Sequence, residues 1–279
     1  MDPSDALGAF ADLFTRDDDD EIEVERAALL FAVCEYPELD VGAALATLDR
    51  FADQLRPRLA GLHEPTQLAR GVAEFLHGGL GFSGNAEAYY DPRNSYLNEV
   101  LERRRGIPIS LSTLYLALGR RVGVPFEGVG LPGHFLVRLR HLVTPVLMDP
   151  FEGGLILDEA ACEERLRSLY GPHARLHRRM LAPISARLMV YRMLNNLKGI
   201  YFGREDWART IRTVDLMLAA QPGALGEYRD RGTAHMRSGD LRRARADFEH
   251  YLLNAPDLDD AGTIRDQLAL IERLESRRN

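Results

Sequence analysis

Gly128-Val-Gly-Leu-Pro-Gly-His-Phe-Leu-Val137 is the stretch where the pattern of this chain changes. Upstream of it, apolar residues recur at three- and four-residue steps. Within and after it, Phe135, Val137 and Leu139 alternate with Leu136, Arg138 and Arg140, which is the period of a strand. Gly130, Pro132 and Gly133 shape a turn that presents His134 just before that strand. Val146-Leu-Met148 and Leu155-Ile-Leu157 read as further short strands, and Asp158 caps a last helix that Gly171 closes. From His134 to Asp149 is 15 residues. That separation suits two adjacent antiparallel strands joined by a turn near Arg140–Pro145.

Working back toward the N-terminus, the period is helical from Glu21 to about Gly78. Leu45, Leu48, Ala52 and Leu55 share one face, as do Leu68, Val72, Phe75 and Leu76. Tyr36-Pro37 and Pro65-Thr66 divide this segment into about three helices, and Gly78 to Asn85 is a loop. The next helix runs from about Asn94 to Arg105, with Asn94 or Ser95 as its cap and Gly106 as its stop. Pro108 and Ser110 open another, with Leu111, Leu114, Tyr115 and Leu118 on one face and Gly123 past its end. Helices first and antiparallel strands afterwards make an α+β domain.

The C-terminal third repeats itself. Pro222 and Pro256 lie 34 residues apart, the period of a tetratricopeptide repeat. At the same offset Asp206 matches Asp240, Trp207 matches Leu241, Val214 matches Phe248 and Leu218 matches Leu252. Tyr228, Gly232, Ala244, Phe248 and Pro256 fall where such repeats want aromatic, small, small, aromatic and turn residues. Two units and a flanking helix, about Ala261 to Leu274, form a short solenoid of the kind that presents a protein-binding surface.

Composition narrows the function classes. The 279 residues are 46% hydrophobic and 28% charged, enough to build a core without staples. A net charge of −7 argues against nucleic-acid binding, which rests on clustered Lys and Arg. Arg103–Arg105 and Arg242–Arg245 sit beside acids and read as solvated helix faces. The acidic run Asp17–Asp20 either caps the following helix or stays disordered. Cys34 and Cys162 are far apart with no ligand spacing, so neither a metal nor any other cofactor is expected, and Cys34 reads as a small buried core residue. No apolar run is long enough for a membrane span, and the start lacks the basic segment of a signal peptide. A reduced, cytoplasmic protein is expected.

Three residues line up as chemistry would need them. Ser110 stands at a helix start, His134 before a strand and Asp149 at the end of the next. A helix N-terminus favours a developing anion, and a His held by a carboxylate can take and return a proton. Ser110 reads either as a nucleophile or as a helix cap, and His134 with Asp149 either as a working pair or as a structural relic.

The blocks Tyr90-Asp-Pro-Arg-Asn-Ser-Tyr-Leu-Asn-Glu-Val-Leu-Glu-Arg-Arg-Arg-Gly-Ile-Pro-Ile-Ser-Leu111, Gly128 to Val137, and Met148-Asp-Pro-Phe-Glu-Gly-Gly154 together resemble the bacterial Sir-B family. That resemblance implies a transglutaminase-like (papain-like) core followed by tetratricopeptide repeats, and a similar core occurs in an animal F-box protein. It matches His134 and Asp149 to the transglutaminase His and Asp. It supplies no cysteine, because Ile107-Pro-Ile-Ser-Leu111 has Ser110 and no thiol. The implied organisation is an acidic segment over 1–20, a transglutaminase-like domain over 21–182 and repeats over 183–279. Two functions follow: a non-catalytic or regulatory module binding a protein partner through the repeats, or a hydrolase or acyltransferase on an amide or peptide-like substrate using Ser110, His134 and Asp149.

Overall fold

The computed structural model describes residues 2–15, 19–140 and 145–276. The chain divides into two compact units, Met1–Met193 and Leu194–Asn279. The first is the expected α+β unit, and it begins earlier than the charge pattern suggested. Helix α1 (Pro3–Asp12) is capped by Asp2, whose side chain accepts from Ser4 N–H, and it buries Ala6 and Phe10 completely. Apolar residues four apart outweigh the flanking acids there. Asp19–Glu21 form a single 3-10 turn, while Asp17 and Asp18 lie outside the described residues.

The three helices expected next are α2 (Val24–Val33), α3 (Val41–Leu59) and α4 (Pro65–Ala73), the last running on into a π-helical turn over Glu74–Gly79. Cys34 is half-buried at the end of α2 and is not a core residue. Inside the expected loop, Ser83–Gly84 (β1) pairs in parallel with Arg105–Gly106 (β2). Helix α5 (Leu97–Arg103) starts later than expected. Its cap position is Tyr96, which makes no side-chain capping bond, so neither Asn94 nor Ser95 is the cap. Arg104, at φ 61°, ends it with its guanidinium 4.9 Å from the Phe51 ring centre and 4.6 Å from that of Phe82. Gly106 serves a different need: a Cβ there would lie 2.7 Å from Ser110 Oγ.

Helix α6 (Pro108–Val122) leads into the sheet, whose strands β3 (Phe126–Val129), β4 (Leu136–Leu139), β5 (Leu147–Asp149) and β6 (Leu155–Leu157) pair antiparallel in sequence order. Strand β3 is invisible to periodicity because Gly128 interrupts it. The structural reason is close approach, since a Cβ at 128 would meet the Phe135 ring at 2.9 Å. Across β3 and β4, Glu127 accepts from Arg138 Nε at 2.8 Å and Arg140 Nε at 3.0 Å, which accounts for the two arginines in the alternating pattern. The β4–β5 connection expected at Arg140–Pro145 falls on residues 141–144, outside the described residues. Asp158 caps α7 (Glu159–Tyr170) through Ala161 N–H, and Gly171 ends it.

Helix α8 (Ala186–Gly203) carries residues of both units, so the first unit reaches past 182. Its Met189, Val190 and Met193 are buried, and Thr113 Oγ1 lies 3.8 Å from Met193 Sδ. The second unit continues with α9 (Trp207–Ala220), α10 (Leu225–Ser238), α11 (Leu241–Asn254) and α12 (Ala261–Ser276). The offset of 34 is visible in the caps: Asp206 accepts from Arg209 N–H and Asp240 from Arg243 N–H, each at 3.1 Å. Ala244, Phe248, Tyr251, Ile264 and Ile271 form its core. Ion pairs tie its helices together. Arg231 bonds Asp215 at 2.5 Å and Asp247 at 2.7 Å, and Lys198 bonds Glu227 at 2.8 Å and Asp230 at 2.7 Å. Among the described residues no helix is long and apolar enough to cross a membrane.

Gly232 is the small residue on which α10–α11 packing turns, because a Cβ there would sit 2.7 Å from the Phe248 ring. Gly232→Val should therefore destabilise the chain by about 1–3 kcal/mol through overpacking. Calorimetry checks this: an unchanged melting temperature would mean the two helices are not packed this closely.

Candidate functional site

The site begins with a turn. Leu131-Pro132-Gly133-His134 is closed by His134 N–H donating to Leu131 O at 3.0 Å, with proline second and Gly133 third at φ 70°. A left-handed third residue after proline defines a type II turn, and glycine fits it without strain. A side chain at 133 would also collide with α7, 2.9 Å from Leu169 Cδ1 and 3.0 Å from Tyr170 Oη. The turn delivers His134, nearly buried, to the head of β4.

Asp149 ends β5 opposite it, fully buried. His134 Nε2–H donates to Asp149 Oδ2 at 2.8 Å. Arg165 Nη2 reaches the same oxygen at 2.9 Å. The other oxygen, Oδ1, accepts from Phe151 N–H at 2.9 Å and Glu152 N–H at 3.3 Å. Arg165 Nη1 also lies 3.2 Å from His134 Nε2. A guanidinium can only donate, and Nε2 already carries the proton given to Asp149, so this is a close approach and not a second hydrogen bond. The ring is thereby fixed with its other nitrogen, Nδ1, as the acceptor. Among the described residues no group bonds Nδ1, and it is not among the buried atoms lacking a partner, so it reaches solvent.

Behind the carboxylate, His77 and Tyr115 form a second pair. His77 Nδ1–H donates to Phe82 O at 2.8 Å, and Tyr115 O–H donates to Nε2 at 2.9 Å. Burial lowers the His77 pKa, opposed by the bond to Phe82 and by the charge of Asp149. Burial and that same charge raise Tyr115. Gly154 permits this packing. Its N–H donates to Asp149 O at 2.8 Å, and a Cβ at its φ of 81° would meet Tyr115 Oη at 2.6 Å.

Ser110 is brought near the start of α6 but not to His134. It has no exposed surface. Its Oγ–H donates to Asn94 O at 2.6 Å, and its oxygen accepts from Ile107 N–H at 3.0 Å, with Ile107 O at 3.1 Å. No hydrogen bond joins it to His134 or Asp149. Asn94, fully buried, donates to Ala88 O at 2.7 Å and Tyr89 O at 3.2 Å and accepts from Asn85 Nδ2 at 3.0 Å. The two residues splice the loop 85–94 to the head of α6. Cys162 is buried in α7 among Val129, Leu136 and Leu166, and burial pushes its thiol up to about 11. Among the described residues no cluster of three or more His, Cys, Asp or Glu could hold a metal.

Sequence reasoning missed Arg165, His77 and Phe151. Arg165 sits in Glu163-Glu-Arg-Leu-Arg167, where nothing separates it from a solvated arginine. His77 lies in a segment read as the end of a helix, and only the fold places it behind Asp149.

Comparison with known proteins agrees with these two units. Residues 42–195 match the transglutaminase-like superfamily, and residues 197–269 match the tetratricopeptide repeat. The chain is 38% identical over 255 residues to a UPF0162 protein of Xylella fastidiosa, covering 90% of each. It is 31% identical over 244 residues to a UPF0162 protein of Vibrio cholerae, covering 86% of this chain and 89% of that one. It is also 34% identical over 158 residues to human F-box only protein 21, covering 53% of this chain and 24% of that one. No solved structure matches it.

Two outcomes follow from the geometry. Ser110→Ala strips the partner from a buried N–H and a buried carbonyl, and should cost about 1–3 kcal/mol of stability in denaturant titration. A loss below a few tenths would show that Ser110 does not hold the loop. The folded-state pKa of His77 lies below its ordinary 6.5, so the unfolded chain takes up a proton that the folded chain refuses. Stability should be full above pH 6.5 and fall as pH drops toward the folded value, a loss that His77→Gln reduces. The depressed carboxylates Asp91, Asp206 and Asp260 act only below their ordinary 3.8, which keeps the two windows apart.

Proposed function

Because this chain belongs to the transglutaminase-like superfamily, with a tetratricopeptide-repeat region after the core, we propose that it is a recognition protein that retains the His–Asp pair without a nucleophile. The observation that supports this most is the commitment of Ser110 Oγ to backbone partners. A serine nucleophile needs a base within hydrogen-bond reach and an open approach, and Ser110 has neither. Cys162 is no substitute, because it is buried with a raised pKa and nucleophilic thiols need the opposite. His134 and Asp149 in this reading fix the polarity of the surface beside the Leu131–His134 turn, and the repeats supply the surface for a protein partner. A regulatory role in the cytoplasm, of the kind the Sir-B resemblance carries, fits that division.

The competing reading is a hydrolase or acyltransferase using Ser110, His134 and Asp149. Active-site-directed probes separate the two. A fluorophosphonate and a thiol-directed electrophile should leave Ser110 and Cys162 of the native protein unlabelled by mass spectrometry. Labelling at Ser110 that disappears in His134→Ala would establish the enzyme and end the recognition reading.

A further inference from the structure

Arg192 is a half-buried arginine of the first unit that no carboxylate among the described residues meets. Other arginines around the sheet are paired: Arg120 and Arg121 with Glu25, Arg138 with Glu127, Arg165 with Asp149. Arg192 Nη2 donates to Leu131 O at 3.3 Å and to His134 O at 3.2 Å, and its guanidinium carbon lies 5.5 Å from the Phe135 ring centre. A Cβ on Gly130 would fall 2.3 Å from Nη1, so glycine there is what admits the guanidinium against the turn. Burial lowers its pKa, and the titratable groups close enough to oppose that are the phenols of Tyr170 and Tyr89, with no carboxylate among them. Arg104 is lowered in the same way, but it is enclosed by Phe51 and Phe82. Among the described residues no acceptor bonds Nη1 or Nε of Arg192, and neither is among the buried atoms without a partner, so they meet solvent.

One turn, Leu131–His134, thus has two unfilled groups beside it: the Arg192 guanidinium edge and the acceptor Nδ1 of His134. The surroundings are apolar and aromatic. Leu169 and Tyr170 are 53% and 61% exposed against Gly133. On the other side, Phe151 stands edge-on to His134 at 6.2 Å and to Tyr89 at 6.0 Å, with exposed Tyr90 against Tyr89. A half-buried guanidinium without an anion is a cost that a ligand's oxyanion removes, and the planar fork suits a carboxylate.

We propose that Arg192, with the phenols of Tyr89 and Tyr170, binds the carboxylate of a peptide-like ligand, whose apolar side chain rests on the aromatic rim and whose adjacent amide N–H donates to His134 Nδ1. This rests on the recognition reading of the same site and names its ligand class. It also gives the His134 tautomer a use that needs no nucleophile: the pair presents an acceptor of fixed direction.

The test uses the full chain with N-acetylphenylalanine and its uncharged primary amide as probes, followed by NMR of the Arg Nε–H and His side chains. The acid should bind and shift Arg192 and His134, and the amide should bind at least about tenfold more weakly, the size of one lost charge-assisted contact. Arg192→Gln should lose a similar factor, and Arg192→Lys should recover part of it. Since Arg192 also braces the turn, Tyr170→Ser, on an exposed side chain, provides a second variant, and it should weaken the acid by a few-fold without moving the melting temperature. Equal binding of acid and amide, or wild-type affinity in Arg192→Gln, overturns the proposal. Inorganic phosphate competing as well as the acid would show a bare anion site and overturn the peptide-like class. Hydrolysis of the amide probe is a separate result: it contradicts the recognition reading while leaving the Arg192 contact standing or falling on its own data.

Discussion

Asp149 is a carboxylate without solvent, and such a group must find every partner inside the protein. Four donors meet it: a ring N–H, a guanidinium and two backbone N–H groups. Each comes from a different demand on the fold. The ring requires the Leu131–His134 turn, and the turn requires Gly133. The guanidinium requires α7 to run past the end of β5. The backbone donors require the chain to fold back at Pro150–Gly154, which in turn requires the glycine at 154. Removing one partner of a buried charge pair costs about 3–5 kcal/mol, so these features hold together or fail together.

The start of α6 shows how similar parts are put to different ends. In cysteine-dependent acyl transfer a helix N-terminus lowers the energy of a thiolate. In this chain Ser110 Oγ, near the start of α6, is turned inward and holds Asn94 O and Ile107 N–H. The site keeps a polarised imidazole and an unpaired guanidinium around one turn, and both fit the reading of a surface that selects a ligand. Charge also organises the repeat region, where Arg231 joins Asp215 on α9 to Asp247 on α11.

Much of this was legible in the chain itself. The 34-residue offset located α9 and α11 because equivalent positions carry equivalent tasks, a capping aspartate and a buried aliphatic or aromatic residue. Pro132 and Gly133 announced their turn because turn chemistry is local. What sequence could not show were contacts made by residues with ordinary neighbours. Arg165 and Arg192 look like any surface arginine until α7 and α8 are placed. Strand β3 was hidden by Gly128, and α1 by the acids around it. Asn94 read as a cap because asparagine caps helices well. Its amide instead binds a loop that only the tertiary fold brings within reach.

The arrangement around Asp149 dictates which nitrogen of His134 carries the proton, and long-range 1H–15N NMR of uniformly labelled protein reads that directly. The Asp149 contact requires a proton on His134 Nε2, protected from exchange by the carboxylate. A ring whose only proton sits on Nδ1, or an Nε2 proton that exchanges as fast as in a free imidazole, would contradict that.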